Sequence, residues 1–362
     1  MFITSDSIQQ HDLIKLLELQ YQIVSQEIRV NKVRDVMSKN QKHTLDNVIA
    51  KINEKLGGVN YNITLGPDFD DKKWLSDGGV LFVGFEISNP PALSKTEIER
   101  GATYKMPSVL GWGANCAANP QQFIGDYVYV EPRQSDVSCC YTWQSYLSDC
   151  MQMMGSKLGE LVTDIIKRHR KQDLLLCDTS YSSSRESRRD NMRQVHACYP
   201  QEYFFSSLAK EPYVTALAVS KDHNERIYRS NITGKRSSEQ NIPGGTVVDT
   251  TIVSPVINEF YLNAHSAFQG TAKTPKYSLV ADNSQISLDI IEGITYGLCY
   301  LHEIVSATVS VPVPLMVAER CAKRGHDVYI ANLKVKHAEV NSVKEANELL
   351  VNHGELRRLR YN

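Results

Sequence analysis

No two cysteines stand in a C-x-x-C pair, and no run of Cys and His has the spacing of a zinc site. The eight cysteines, Cys116, Cys139, Cys140, Cys150, Cys177, Cys198, Cys299 and Cys321, fall largely in apolar stretches where a thiol behaves as a small hydrophobe. This excludes a small zinc module and a disulfide-framed secreted domain, and points to a reduced intracellular chain. An excess of charge of one sign is also missing. Forty Lys and Arg against 41 Asp and Glu leave a net charge of −1, which excludes coating nucleic acid by bulk charge but leaves room for a local basic pocket. Long hydrophobic runs are absent too. The start, Met1 to Asp6, has no basic region followed by an apolar core, so no secretory leader is expected. Ile304 to Ala318, the most apolar late stretch, is too short and too interrupted by Ser, Thr and Pro to span a bilayer. Cytoplasm, nucleus or both are the expected compartments, with no membrane partner.

What is present is the composition of a folded soluble protein: 362 residues, 42% hydrophobic and 22% charged, with 13 Pro and 20 Gly. That length fits two ordinary domains, or one large domain plus part of another. Apolar residues recur at helical spacing from Ser7 to Val30, and a second helix is expected from Thr44 to Leu56 before Gly57 and Gly58 stop it. Leu65 to Asp77, rich in Gly, Pro, Asp and Lys, reads as a linker. Gly79 to Ile87 is apolar at nearly every position, the mark of a strand buried on both faces. Further strands are expected at Phe123–Val130, Asp173–Cys177, Tyr213–Ser220, Thr246–Val253, Glu259–Ala264 and Tyr277–Ala281. Helical patterns run over Tyr141–His169, beyond the charged stretch Ser182–Asp190, and at Ser287–Val305 and Val313–Arg324. This order predicts an α/β fold, a mixed sheet with helices on its faces.

Two pairs of basic side chains stand out. His11 and Lys15 are four apart on one expected helix, and Lys51 and Lys55 are four apart on the next. Brought together, they would set three ammonium groups and an imidazole around one anion.

Six strings in order carry a resemblance: TLDNVIAKINEKLGGVN at 44–60, VGFEISNPP at 83–91, VSKDHNER at 219–226, NIPGGTVVDT at 241–250, FYLNAHSAFQGT at 260–271 and SVPVP at 310–314. Together they resemble the second half of an Argonaute protein. The resemblance implies an RNase H-like PIWI domain at 67–330, preceded at 1–66 by a partial helical remnant of a Rossmann-like MID domain and followed by a charged tail at 331–362. Guide RNA would be held by its 5′ end where the two domains meet. Lys51 and Lys55 match the family's phosphate-binding lysines, Gln26 a glutamine of the same pocket, and His11 and Lys15 a Tyr/Lys pair there, with His replacing Tyr. Lys221, Thr271 and Lys273 match positions lining the guide backbone, with Asp222 where a basic residue is usual.

Family members that cut RNA hold two Mg²⁺ ions with three acidic residues and a fourth Asp or His. Here Glu86 stands where the pattern has Asp, Ser135 where it has a mobile Glu, Asp178 is retained, and Ser278 is read as the fourth position. Mg²⁺ demands hard oxygen ligands in strict geometry, so the resemblance implies a degenerate, slicer-inactive site. Asp136, beside Ser135, is the candidate substitute in an alternative Mg²⁺-dependent nuclease with Glu86 and Asp178. A His/Lys pocket with an eroded tetrad is similar to the nematode branch that binds secondary small interfering RNAs, commonly 5′-triphosphorylated. The expected partners are such a guide, its complementary target RNA and silencing effector proteins. No cofactor is required; Mg²⁺ at the 5′ phosphate or at the degenerate site is the one candidate. A second alternative is a protein-interaction module that no longer binds RNA.

Overall fold

The amino-terminal periodicity folds into a small βαβ unit in which β1 (Phe2–Thr4) and β2 (Glu27–Arg29) pair in parallel across the crossover helix α1 (His11–Tyr21). The structure, a computed structural model, describes residues 2–5, 10–115 apart from 68, 70–73 and 76–79, then 119–132, the backbone of 173–178, 213–267 apart from 232–233 and 235–236, 270–336, 340 and 342–351. The single helix expected over Ser7–Val30 is corrected. Gln22 caps α1 in the left-handed region (φ 54), and the β-branched Ile23, Val24 and Ile28 beyond it favour extended backbone. Next come α2 (Val30–Ser38) and α3 (Lys42–Lys55), the latter stopped as expected at Gly57, whose φ of 86 suits a residue without Cβ.

The apolar run forms β3 (Val80–Ser88), followed by α4 (Lys95–Glu99), β4 (Ser108–Ala114), β5 (Ile124–Val130), β6 (Asp173–Asp178), β7 (Val214–Ser220), β8 (Thr246–Val248), β9 (Glu259–Asn263) and β10 (Lys276–Asp282). These strands make one eight-stranded sheet in the order β5-β4-β3-β6-β7-β10-β9-β8. β3, β6 and β7 are parallel at its centre, and the flanking pairs are antiparallel. That arrangement is consistent with the RNase H-like expectation. The strand expected over Thr246–Val253 ends at Val248, and β4 was not anticipated.

Helix α5 (Leu288–Leu298) and the long α6 (Val313–Lys336) cover the sheet. Glycines on β3 and β4 let α6 lie directly on them: a Cβ at Gly111 would stand 2.1 Å from the Ala318 carbonyl oxygen, and one at Gly84 2.4 Å from the backbone of Pro314. The expected tail at 331–362 carries helical structure among its described residues. α6 continues into it, and α7 (Val343–Leu350) buries Ala346 and Leu350. The Tyr127 hydroxyl donates to the Leu350 carbonyl at 2.7 Å, tying α7 to β5. Within the expected linker, Trp74 and Leu75 are buried in the main core. The helices expected at 141–169 and beyond 182–190 lie outside the described residues. Among the described residues no helix is long and apolar enough to cross a membrane.

Candidate nucleic-acid interface

Three helices bring basic side chains to one place. Lys15 comes from α1, Lys51 and Lys55 from α3, and Arg320 and Arg324, one turn apart, from α6. Lys15 and Lys55 are buried, at 6% and 4% exposure, which is uncommon for an ammonium and needs partners. Lys15 donates to both oxygens of Glu18 at 2.8 and 3.0 Å, and Lys55 donates to the Ser25 carbonyl at 2.7 Å. The Ser25 backbone N–H donates to Glu18 in turn, at 3.1 Å. Glu18 and Glu54 are buried among these cations, and the buried Asp126 acts on Tyr127 and Cys321 together with Arg324. Five basic side chains therefore share a partly buried, low-dielectric setting.

Like charges so placed disfavour their own ionisation. Burial, then repulsion from Arg324, pulls the Lys15 ammonium down to about 8 although Glu18 opposes the shift. Burial, then the neighbouring Lys15, pulls Lys55 down to about 7. Lys51 is lowered by burial and by Arg320, and Arg320 itself by burial. An anion set among these groups would reverse each shift, and a phosphate offers the oxygens to accept from several donors at once.

The sequence pairs do not all converge. His11, though four residues from the buried Lys15, has a 56% exposed side chain, with Nδ1 2.8 Å from Glu27 Oε2. Burial would raise the Glu27 carboxyl, but hydrogen bonds from Thr4 and His11 outweigh it and hold the group low. His11 is thus fixed at the outer rim. Gln26 donates from Nε2 to the Glu27 carbonyl at 2.8 Å, and it is Ser25, one residue before it, that reaches Lys55. Arg320 and Arg324 were missed in the sequence, where α6 read only as a closing helix; the i, i+4 pair Arg320/Arg324 was the available signal.

The βαβ unit and the sheet domain are joined around this pocket. The Tyr61 hydroxyl donates to the Tyr300 carbonyl at 2.6 Å, the Asn60 N–H donates to Glu303 at 3.0 Å, and Lys334 bridges to Asp12 at 2.9 Å. At the far end of β7, Lys221 donates to Ser310 Oγ at 3.1 Å. Thr271 and Lys273 are exposed on the loop entering β10, which pairs with β7 through Lys276 and Ser220. Asn241 holds that loop by donating to the Gly270 carbonyl at 3.0 Å and accepting from the Ala272 N–H at 3.0 Å. The structure therefore brings Lys221, Thr271 and Lys273 to one sheet end, with exposed Asp222 beside them.

Of the four positions read as metal ligands, the three among the described residues are not all brought together. Glu86 is two residues beyond the Gly84–Cys177 pair on β3, and Asp178 one residue beyond it on β6, so these two are neighbours. Ser278 pairs with Ala218, and Ala218 with Asp178, so Ser278 lies two strands from Asp178, roughly 9–10 Å across the sheet. Its hydroxyl is buried and donates to Glu259 at 2.7 Å, and Glu259 also pairs with Lys276 at 2.8 Å. Ser135 and Asp136 lie outside the described residues. Among the described residues no group of three His, Cys, Asp or Glu could hold a metal ion.

Known proteins share this architecture. The Piwi domain family model matches residues 1–177 and 201–330. The chain is 31% identical over 331 residues to the Argonaute protein wago-1 of Caenorhabditis elegans, covering 91% of this chain and 32% of that protein. Among solved structures, Kluyveromyces polysporus Argonaute with a guide RNA is similar with a TM-score of 0.69 at 20% identity, over 99% of this chain and 41% of that one. The C-terminal lobe of a budding yeast Argonaute gives the same TM-score of 0.69 at 19% identity, over 99% of this chain and 68% of that one. The chain spans about a third of the length of the curated relatives it matches.

Proposed function

The chain belongs to the Argonaute/Piwi family, and on that premise we propose that it holds a small guide RNA by its phosphorylated 5′ end and acts in RNA-guided silencing without cutting the target. The observation that carries this reading is the convergence of Lys15, Lys51, Lys55, Arg320 and Arg324 on one pocket. Protein cations of this kind grip phosphate and end, while sequence is read by base pairing of guide with target. Lys221, Thr271 and Lys273 would track the guide backbone beyond its end.

The resemblance to the nematode secondary-siRNA branch extends the proposal to a 5′-triphosphorylated guide. The pocket's surplus of positive charge suits a polyphosphate better than a single phosphate. Complementary target RNA and silencing effector proteins complete the proposed partners, in cytoplasm or nucleus. The test is to sequence the RNA that co-purifies with the protein, with and without conversion of 5′ triphosphate to monophosphate before ligation. Small RNAs of uniform length that appear mainly after conversion are the expected result; absence of RNA would favour an interaction module.

A second reading, a Mg²⁺-dependent nuclease using Glu86, Asp136 and Asp178, draws support from the neighbouring strand positions of Glu86 and Asp178. The two readings part in an assay with a matched guide, target RNA and Mg²⁺. No cleavage opposite the middle of the guide is expected. Cleavage that is lost in Asp178→Ala would establish the second reading.

A further inference from the structure

Glu292, on α5, is only 8% exposed, and its Oε1 is closed off from solvent and meets no hydrogen-bond donor among the described residues. Asp249 and Asp289 are exposed and lie close enough to act on it. They form the rim of an opening whose floor is the Glu292 carboxyl. Burial, then the charges of Asp249 and Asp289, push that carboxyl up to about 7. A buried carboxyl set among like charges is costly unless a cation or a donor reaches it.

The surroundings extend this opening into a groove. Asp289, Glu292 and Tyr296 recur at i, i+3 and i+7 on α5, which is one stripe of the helix, and Tyr300 continues it just past the helix end. The Tyr296 and Tyr300 rings meet edge to face at 5.1 Å, with their hydroxyls 2.7 Å apart. The stripe runs beside β8. A Cβ on Gly245, the residue before that strand, would stand 3.2 Å from the Tyr296 ring, while Asp249, the residue after it, acts on Glu292. From Gly245 to Asp249 a strand advances about 13 Å, so the tyrosines mark one end of the groove and the three carboxyls the other. β8 is the last strand of the eight-stranded sheet, and among the described residues its outer edge is unpaired.

We propose that the groove between α5 and the free edge of β8 docks an extended basic peptide segment of a protein partner, which adds to β8 as a strand and sets an Arg or Lys among Asp249, Asp289 and Glu292. The chemistry selects this occupant. Three carboxyls repel phosphate, so RNA is disfavoured here, and among the described residues no group of three His, Cys, Asp or Glu could hold a metal ion. A guanidinium donates to several carboxylate oxygens at once and stacks on a tyrosine face, and the main chain of an added strand satisfies the β8 edge. Strand side chains alternate, so basic residues at every second position would face the α5 stripe. The groove uses none of α1, α3 and α6, which build the cationic pocket, and the inference holds whether or not that pocket binds RNA.

The test titrates the purified 362-residue chain with a ten-residue peptide of alternating Val and Arg, at fixed salt and without RNA, beside a control peptide with Gln for every Arg. Tighter binding of the Arg peptide is expected, with slowed hydrogen exchange over 246–248. Glu292→Gln with Asp249→Asn should weaken it about tenfold or more. Asp46→Asn with Glu348→Gln, at exposed acids elsewhere, should not. Binding displaces the Glu292 proton, so affinity should rise by up to about tenfold from pH 6 to pH 8, and the carbon-13 titration of that carboxyl should move to lower pH in the complex. Circular dichroism confirms that each variant is folded. Equal binding of the Arg and Gln peptides, or binding of the Arg peptide that is indifferent to Glu292→Gln with Asp249→Asn, would overturn the proposal.

Discussion

Lys55 Nζ donates to the carbonyl oxygen of Ser25 at 2.7 Å, and through this bond the end of α3 is closed onto the loop that leads into β2. The same Ser25 donates its N–H to Glu18, the partner of Lys15, so two buried ammonium groups are held by one short stretch of backbone. The arrangement positions cations at the cost of burying them. Anion binding, pH response and stability of the pocket all turn on that tension.

Replacing Lys55 by Met removes a buried charge and keeps most of the volume. The empty protein should be no less stable, because the desolvation of the ammonium is relieved even though the Ser25 carbonyl loses a donor. RNA affinity should fall about tenfold or more, with the salt dependence flattened by about 0.7 in log–log slope for each phosphate no longer neutralised. Thermal melting of the empty protein and binding at several salt concentrations check the two halves together. A large drop in melting temperature would mean that Lys55 is structural.

Binding should take up protons. Lys55 stands at about 7 and Lys15 at about 8 in the empty pocket, so both are partly neutral near pH 8 and an anion recharges them. Affinity for a 5′-phosphorylated RNA should weaken as pH rises from 7 to 9, and the heat of binding at pH 8 should change with the buffer's ionisation enthalpy. The empty protein behaves in the opposite sense. Each folded-state lysine lies below its unfolded value of 10.5, so these groups destabilise at low pH, and stability rises as pH climbs from about 7 toward 10.5. Calorimetry in two buffers, with melting curves across the same range, reads both signs.

Ser278→Asp tests the placement of that residue. The hydroxyl is 3% exposed and bonded to Glu259, so a carboxylate there would be buried against another. A loss of about 3 kcal/mol or more is expected, with no gain of Mg²⁺-dependent cleavage. A variant that folds normally and cuts RNA would place Ser278 in a metal site after all.

Gly111→Ala should destabilise by about 1–3 kcal/mol, because the added Cβ would stand 2.1 Å from the Ala318 carbonyl oxygen and α6 would have to lift. Since α6 carries Arg320 and Arg324, the same variant should weaken RNA binding without touching the pocket. Denaturant unfolding and a binding titration on one preparation measure both effects. Weakened stability with unchanged affinity would separate α6 seating from the site.

Elements buried on both faces, such as β3, were readable because an unbroken apolar run of strand length, closed by a Pro-containing turn, fits little except a buried strand. α3 was readable because its period and its Gly57–Gly58 stop agree. The β1–α1–β2 unit was not: a three-residue strand has no periodicity to read, and the turn at Gln22 is made by a residue with no strong turn signature. β4 hid behind Gly111 and Gly113, which weaken a strand signal for a reason visible only in three dimensions, the close approach of α6. In the pocket, Lys51 and Lys55 were legible from spacing and resemblance together. His11 lies shallower than Lys15 because i, i+4 spacing gives a shared face but not a shared depth. Arg320 and Arg324 needed the long-range packing of α6 against α1, which no local pattern carries. Ser278 illustrates the same limit: its strand was found, but the two-strand separation from Asp178 belongs to sheet order.

The most direct test of the pocket's role compares two RNAs of identical sequence, one with a 5′ phosphate and one with a 5′ hydroxyl, in equilibrium binding to the purified chain at pH 7 and fixed salt. Preference for the phosphorylated RNA by about tenfold or more, lost in Lys51→Ala with Lys55→Ala, is the expected result. Equal affinity for the two RNAs would contradict the assignment of this pocket to a guide's 5′ end.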